Sequence, residues 1–263
     1  MGHDGGGYMI RIIVEAEQIA GEHLTLTSQQ AHYLFRVMRA GSGTSFEAIV
    51  SGDKIFRCVS TKDELVAKCM DMRMVSVKSG LFLAQALLKK DLFSQIVTRG
   101  TEAGISRFYP LVTDRTIVRQ ISDTKWRRWH AIAKEATEQS QRVRVPEISQ
   151  LISLQDLVGV KIPCKVMLDP HGRNIWDWVN ARPKDPQFEC LLVAGPEGGF
   201  SESERQQMIG HGFEAISLGS HVYRAENAGV IAAALLETWQ DSTERARRGY
   251  IAYPQLAKDG DDF

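Results

Sequence analysis

The chain has only four cysteines in 263 residues, Cys58, Cys69, Cys164 and Cys190, and none is spaced as CxxC. That argues against a zinc ribbon or a disulfide framework and leaves buried, reduced thiols as the reading. Seven histidines are scattered with no HExxH, so a helix-borne zinc hydrolase is excluded. Neither GxGxxG nor GxxxxGK[ST] occurs, which removes the dinucleotide and P-loop signatures. No apolar run approaches the roughly 20 residues that cross a bilayer. The start, MGHDGGGYMI, lacks the basic region and apolar core of a secretory signal, and its glycines read as a loose leader. The expected location is the cytoplasm. Net charge is absent too: 32 Lys and Arg balance 32 Asp and Glu.

The balance hides a division. Residues 1–75 carry −1, residues 76–150 carry +6 and residues 151–263 carry −5. A basic zone on a neutral chain can still meet phosphates, although solvated charges account for it equally well. It is densest over 113–146, where Arg115, Arg119, Lys125, Arg127, Arg128, Lys134, Arg142 and Arg144 interleave with Trp126 and Trp129. Aromatics among arginines can stack on bases or anchor a core. Core is expected for at least one of the two tryptophans, and phosphate contact for some arginines.

Residues 1–75 read as a small β-rich unit, with strands near Met9–Val14, Leu24–Leu26, Phe46–Val50 and Lys54–Ser60, and a helix over Gln29–Met38. Turns fall at Gly41–Gly43 and Ser51–Asp53, and the short strands suggest a small barrel. Arg36 and Arg39 share a helix face and could touch phosphates. Residues 61–80 read as a connector. From Leu81 onward strands and helices alternate, which predicts an α/β domain over 76–263 with a mainly parallel sheet. Its expected elements are the strand Leu81–Leu87, the helix Asp91–Ala103, the strand Ile105–Val112, the helix Lys125–Gln141 and the strand Cys164–Leu168. A strand-end loop at Asp169–Gly172 and a helix over 174–180 follow. The helix Ala225–Trp239 is apolar on most sides, so it should be buried or pack on a partner. The polar tail from Thr243 should be mobile.

Two stretches organise the chain, LLVAGPEGGF at 191–200 and SLGSHVYRAENA at 217–228. Each is an apolar run that stops at a glycine turn before a helical segment. In the first, Ser201 and Glu204 form a capping box. Open α/β sheets bind ligands at such strand ends.

These two loops closely resemble the signatures of the RsmE-like family, small-subunit rRNA uracil-N3 methyltransferases of the SPOUT class. The segments 99–104 (RGTEAG), 110–115 (PLVTDR), 138–142 (EQSQR) and 32–39 are similar to that family's other landmarks. The resemblance implies a C-terminal SPOUT domain with a deep trefoil knot, which sequence alone would never suggest. It implies a PUA-like RNA-binding β-barrel at the N-terminus, a homodimer, S-adenosylmethionine as methyl donor without a metal, and small-subunit rRNA, within the ribosomal particle, as partner. The donor pocket would draw on Leu168, Gly195, Glu197, Gly198, Leu218, Gly219 and Val222. Arg224 would stabilise the uracil as its N3 proton leaves, and Glu226 would accept that proton or orient Arg224. A structural Arg224–Glu226 ion pair is the plain alternative. Arg115 and Arg142 would contact RNA phosphates. The family usually has Arg, Leu and Thr where this chain has His221, Tyr223 and Asn227, Lys at Arg99 and Gly at Gln141. Two other readings stay open: an inactive RNA-binding scaffold, and a SPOUT methyltransferase with another RNA target.

Overall fold

In a computed structural model the described residues are 9–50, 54–74, 80–140, 142–183, 185 and 187–247. The first sheet holds β1 (Arg11–Val14), β2 (Ile19–Ala20), β3 (His23–Thr25), β4 (Ser45–Val50), β5 (Lys54–Ser60) and β6 (Val66–Met74). Their order is β1-β4-β5-β6-β3-β2. Only β1 and β4 run parallel, and Arg11 of β1 pairs with Glu47 of β4 at 2.7 Å. The sheet is open, with β1 and β2 at its edges. It curls over a core containing Leu24, Leu34, Phe46 and Ala48.

The connector read over 61–80 is corrected by β6. Its outer half shows Met70, Asp71, Met72, Arg73 and Met74 all exposed, so two-residue alternation vanishes where neither face is covered. The helix read over 29–38 is also modified. It begins as α1 (Ser28–Ala31), capped by Thr27, and continues over His32–Val37 in wider turns. There the Met38 amide reaches back to the Tyr33 carbonyl, five residues away. The turn expected at 51–53 and the glycine leader lie outside the described residues.

The second sheet contains β7 (Leu81–Ala86), β8 (Ile105–Val112), β9 (Glu147–Ile148), β10 (Ile152–Ser153), β11 (Cys164–Asn174), β12 (Cys190–Ala194) and β13 (Glu214–Ser217). The order is β10-β8-β7-β12-β11-β13, with β9 beside β8. Every pair is parallel, as the alternation predicts. Parallel strands need crossovers. Here α2 (Leu92–Glu102), α3 (Asp123–Gln139), α4 (Leu154–Val158), α5 (Ile175–Asn180) and α6 (Glu202–Gly210) supply helices to the connections, and α7 (Ala225–Arg247) closes the chain. Thus α7 extends past the expected end at Trp239, into the segment read as a tail. Residues 248–263 of that tail lie outside the described residues.

Trp129 is fully buried on Phe93, with ring centroids 4.2 Å apart, so it anchors α3 to α2. Phe188 lies edge-on between Trp178 and Trp239. The cysteines pair across neighbouring strands, Cys58 with Cys69 (Sγ–Sγ 3.5 Å) and Cys164 with Cys190 (3.2 Å), as free buried thiols. The two sheets meet where Glu138 of α3 accepts the Ile13 amide of β1 at 3.1 Å, and where Ile13, Ile49 and Ile55 pack on Val143 and Val145.

Candidate active site

One cavity of about 840 Å³ lies where the carboxyl ends of β12 and β13 meet the middle of β11, at Leu168–His171. Each wall has a local cause. β12 is buried along its whole length and stops at Gly195-Pro196. The Gly199 amide then bonds the Pro196 carbonyl at 2.8 Å, in a turn that holds Gly199 at φ +68°, where side chains are strained. Gln85, buried in β7, donates to the Gly195 carbonyl at 3.4 Å. The Glu197 carboxylate turns back to the Lys89 amide at 3.2 Å.

The wall from β11 corrects the sequence reading. Asp169–Gly172 is not a loop that ends the strand. The chain stays extended to Asn174, and its pairing with β13 slips between Leu168 and Arg173. Asp169 is buried, accepts the His171 amide at 2.8 Å and forms an ion pair with Arg205 of α6. Both line the cavity. The pair leaves no local pattern in the sequence, because its partners are 36 positions apart and only the Asp-Pro-His-Gly pattern marks the place.

The third wall follows β13. Of the residues expected at the donor pocket, Leu168, Gly195, Glu197, Gly198, Leu218 and Val222 line the cavity, together with Arg224 and Glu226. Gly219 does not. Its amide is held by the Ser217 hydroxyl at 3.2 Å. Leu168, Ile216 and Leu218 give the cavity an apolar surface beside the buried Asp169–Arg205 pair, and Arg224 and Glu226 add charge. The Arg224 side chain is 85% exposed and lies 4.0 Å from the Glu226 carboxylate, which is 16% exposed. The Arg224 carbonyl accepts the Asn227 and Ala228 amides, so the first turn of α7 fixes the residue's backbone. Asn227 accepts from Arg99 of α2 at 3.2 Å. Two positions that depart from the family pattern therefore contact each other.

Of the expected phosphate contacts, Arg115 lines this cavity and donates to the Gly198 carbonyl at 2.6 Å, tying the basic segment to the glycine loop. Glu204, buried at the start of α6, tightens the link. It accepts the Asp114 amide at 2.7 Å and the Ser201 amide at 2.8 Å, while Ser201 donates to Asp114 at 2.6 Å. Glu204→Ala strands two backbone donors and should cost roughly 2–4 kcal/mol. Thermal unfolding checks this, with the exposed Ser203→Ala expected to be near neutral.

Arg142 is a correction. Its guanidinium donates to the carbonyls of Thr101, Gly104 and Ile105 at 2.6–3.0 Å, so three of its five N–H donors cap the end of α2. Burial pushes its pKa down. Arg142→Ala should lower stability by roughly 2–4 kcal/mol and leave the RNA affinity of the folded protein unchanged. Denaturant unfolding and filter binding test the two halves. Arg36 pairs with Glu64 at 3.0 Å on the first sheet's surface, and Arg39 is exposed beside it at φ +55°. Neither lines the cavity. No group of His, Cys, Asp and Glu that could hold a metal occurs among the described residues.

A family model described as an RNA methyltransferase domain matches residues 77–237. The chain belongs to that family. A ribosomal RNA small subunit methyltransferase E from Synechocystis is 32% identical over 88% of this chain and 78% of its own length. Its Bacillus subtilis counterpart is 28% identical over 78% and 85%. Among solved structures, a methyltransferase from Legionella pneumophila, crystallised with SAM, is 28% identical, with a TM-score of 0.76 over 89% of this chain and 98% of that one. A small-subunit methyltransferase E from Neisseria gonorrhoeae, 22% identical with a TM-score of 0.77, has the same fold. In this RNA methyltransferase the family match takes in the whole second sheet and the cavity, and the relatives' coverage extends into the first sheet.

Proposed function

We propose that the chain methylates N3 of a uridine in 16S rRNA, with S-adenosylmethionine as donor. The observation that carries the reading is one cavity where β12, β13 and the slipped segment of β11 meet, with Arg224 and Glu226 at its rim. The cavity suits the donor. Its surface at Leu168, Ile216 and Leu218 is apolar, and Gly195 and Gly198 bring backbone to the wall, where a Cβ on Gly195 would already press on Phe200 at 3.2 Å. Backbone groups and apolar side chains fit an adenosyl group better than a polyphosphate. When bound, S-adenosylmethionine supplies an electrophilic methyl group.

The protein's own share is positioning and charge. Uracil N3 must lose its proton as the methyl arrives. Arg224 places a cation where negative charge develops on the base, and Glu226 accepts the proton or steers Arg224. Arg115 holds the glycine loop and still faces the cavity, so it also suits a phosphate beside the target.

In the same reading, residues 76–263 form the SPOUT domain, and its deep trefoil knot lies in the chain that builds the cavity. Residues 1–75 form the PUA-like RNA-binding unit, where Arg36 and Arg39 meet phosphates. Two chains make a homodimer. Support for the dimer comes from Val222, 77% exposed at the cavity mouth, and from the half-buried Val230, Ile231 and Leu235 on α7. The enzyme works in the cytoplasm, where ribosomal particles supply the RNA. Purified protein, labelled S-adenosylmethionine and unmodified small subunits test the reading. Nucleoside mass spectrometry should find 3-methyluridine, and donor binding without that product would overturn the assignment.

A further inference from the structure

A second cavity, of about 530 Å³, opens at the start of α3, walled by Arg119, Gln120, Asp123, Trp126, Arg127 and Gln150 among others. It is the part of the basic zone that the donor cavity leaves unexplained. Much of that zone is neutralised. Arg107 pairs with Glu147, and Lys125 and Arg128 with Asp91, while Arg142 is a cap. Arg127 is different: its side chain is exposed and has no hydrogen bond or ion pair with the described residues. Arg119 spends one nitrogen on the Asp114 carbonyl, at 2.9 Å, and keeps its other donors. Asp123 is the single carboxylate in the wall, so the cations prevail.

The aromatic wall fits a base. Trp126 lies against His130, with ring centroids 3.8 Å apart and the planes tilted by 45°. Trp126 is part of the cavity wall, and its Nε1 is buried without an acceptor. Gln120 and Gln150 add amide groups able to donate and accept. The segment 113–122 links both cavities, because Arg115 holds the glycine loop at one end and Arg119 lines the second cavity at the other.

We propose that this cavity takes an unpaired nucleotide of the RNA substrate, with its base against Trp126 and its phosphate on Arg127 and Arg119. Every base has a π-face, so the contact tolerates sequence and acts as an anchor beside the target. The proposal rests on the reading of the chain as an RNA methyltransferase. Positioning by a neighbouring nucleotide would then favour transfer at one uridine over others.

The test uses the full chain and small-subunit rRNA. RNA affinity is measured across a salt series, with donor affinity and 3-methyluridine formation measured on the same preparations. Arg127→Gln cannot disturb the core, and it should reduce the salt slope by about 0.7, the share of one phosphate on a single strand. Trp126→Ala should weaken RNA binding about five- to 100-fold, and Trp126→Phe should recover most of that. Donor affinity should not move in any of the three. If wild type forms 3-methyluridine while Arg127→Gln keeps the wild-type slope, the anchor is wrong and the function stands. If the slope and affinity change as expected but wild type forms no 3-methyluridine, the anchor stands and the reaction assignment falls. A wild type that binds no RNA overturns both.

Discussion

Arg224→Ala is expected to lower methyl transfer by roughly 100- to 1,000-fold, the usual scale for losing one electrostatic stabiliser of a developing charge, and to leave donor affinity unchanged. The geometry favours a role in the transition state over a role in the fold. The side chain is 85% exposed, and its 4.0 Å contact with Glu226 is at the limit of an ion pair. An exposed pair of that kind contributes at most about 1 kcal/mol to stability. The two roles therefore separate cleanly. A structural pair predicts a small change in melting temperature and no change in rate, and a stabilising cation predicts the reverse. Arg224→Lys keeps the charge but not the planar fork and should fall between. Glu226→Gln divides the roles left to the carboxylate. If it accepts the proton, rate falls and its pH dependence changes. If it only steers Arg224, the amide oxygen preserves much of the activity. Single-turnover rates alongside calorimetric donor binding measure all three variants.

The second sheet was legible in the sequence because burial on both faces leaves strands as plain apolar runs. Leu81–Leu87 and Leu191–Ala194 read that way, while Ile105–Val112 carries Ser106 and Arg107 and is apolar mainly from Phe108; the strands at all three places pair in parallel. Three features were not legible, each for a physical reason. The outer half of β6 is exposed on both faces, so Met70–Met74 has no period. Asp169–Gly172 looks like a turn by composition, yet it stays extended because its pairing with β13 resumes after a slip. Arg142 has the composition of a phosphate ligand, and only the fold brings the end of α2 within reach of its guanidinium. The candidate site was mostly legible, since glycine turns after apolar runs mark strand ends directly. The Asp169–Arg205 and Glu204–Asp114 links were not, because ties between distant segments leave no local pattern.

Gly172→Ala is the substitution expected to damage the molecule most. A Cβ there would stand 2.4 Å from the Ala215 carbonyl carbon and 2.5 Å from the Ile216 nitrogen, both backbone atoms of β13. No rotamer change can relieve that contact, so the two strands must separate. The cost should exceed the usual 1–3 kcal/mol of overpacking a core, because main chain rather than side chain has to move. The loss is also local to function. Leu168–His171 and Ile216–Leu218, on either side of the clash, line the cavity proposed to take the donor. Donor affinity should therefore fall even in whatever fraction remains folded. Gly210→Ala is the matched control. It lies in α6, nothing stands within 4 Å of its Cβ position, and its φ is outside the left-handed range. Alanine there should be neutral or stabilise by about 0.5–1 kcal/mol through the unfolded chain. Thermal melts with and without S-adenosylmethionine compare the two. The expected pattern is a lower melting temperature with little donor-induced shift for Gly172→Ala, and a wild-type shift for Gly210→Ala. A wild-type donor shift in Gly172→Ala would mean that the slipped segment of β11 does not shape the pocket.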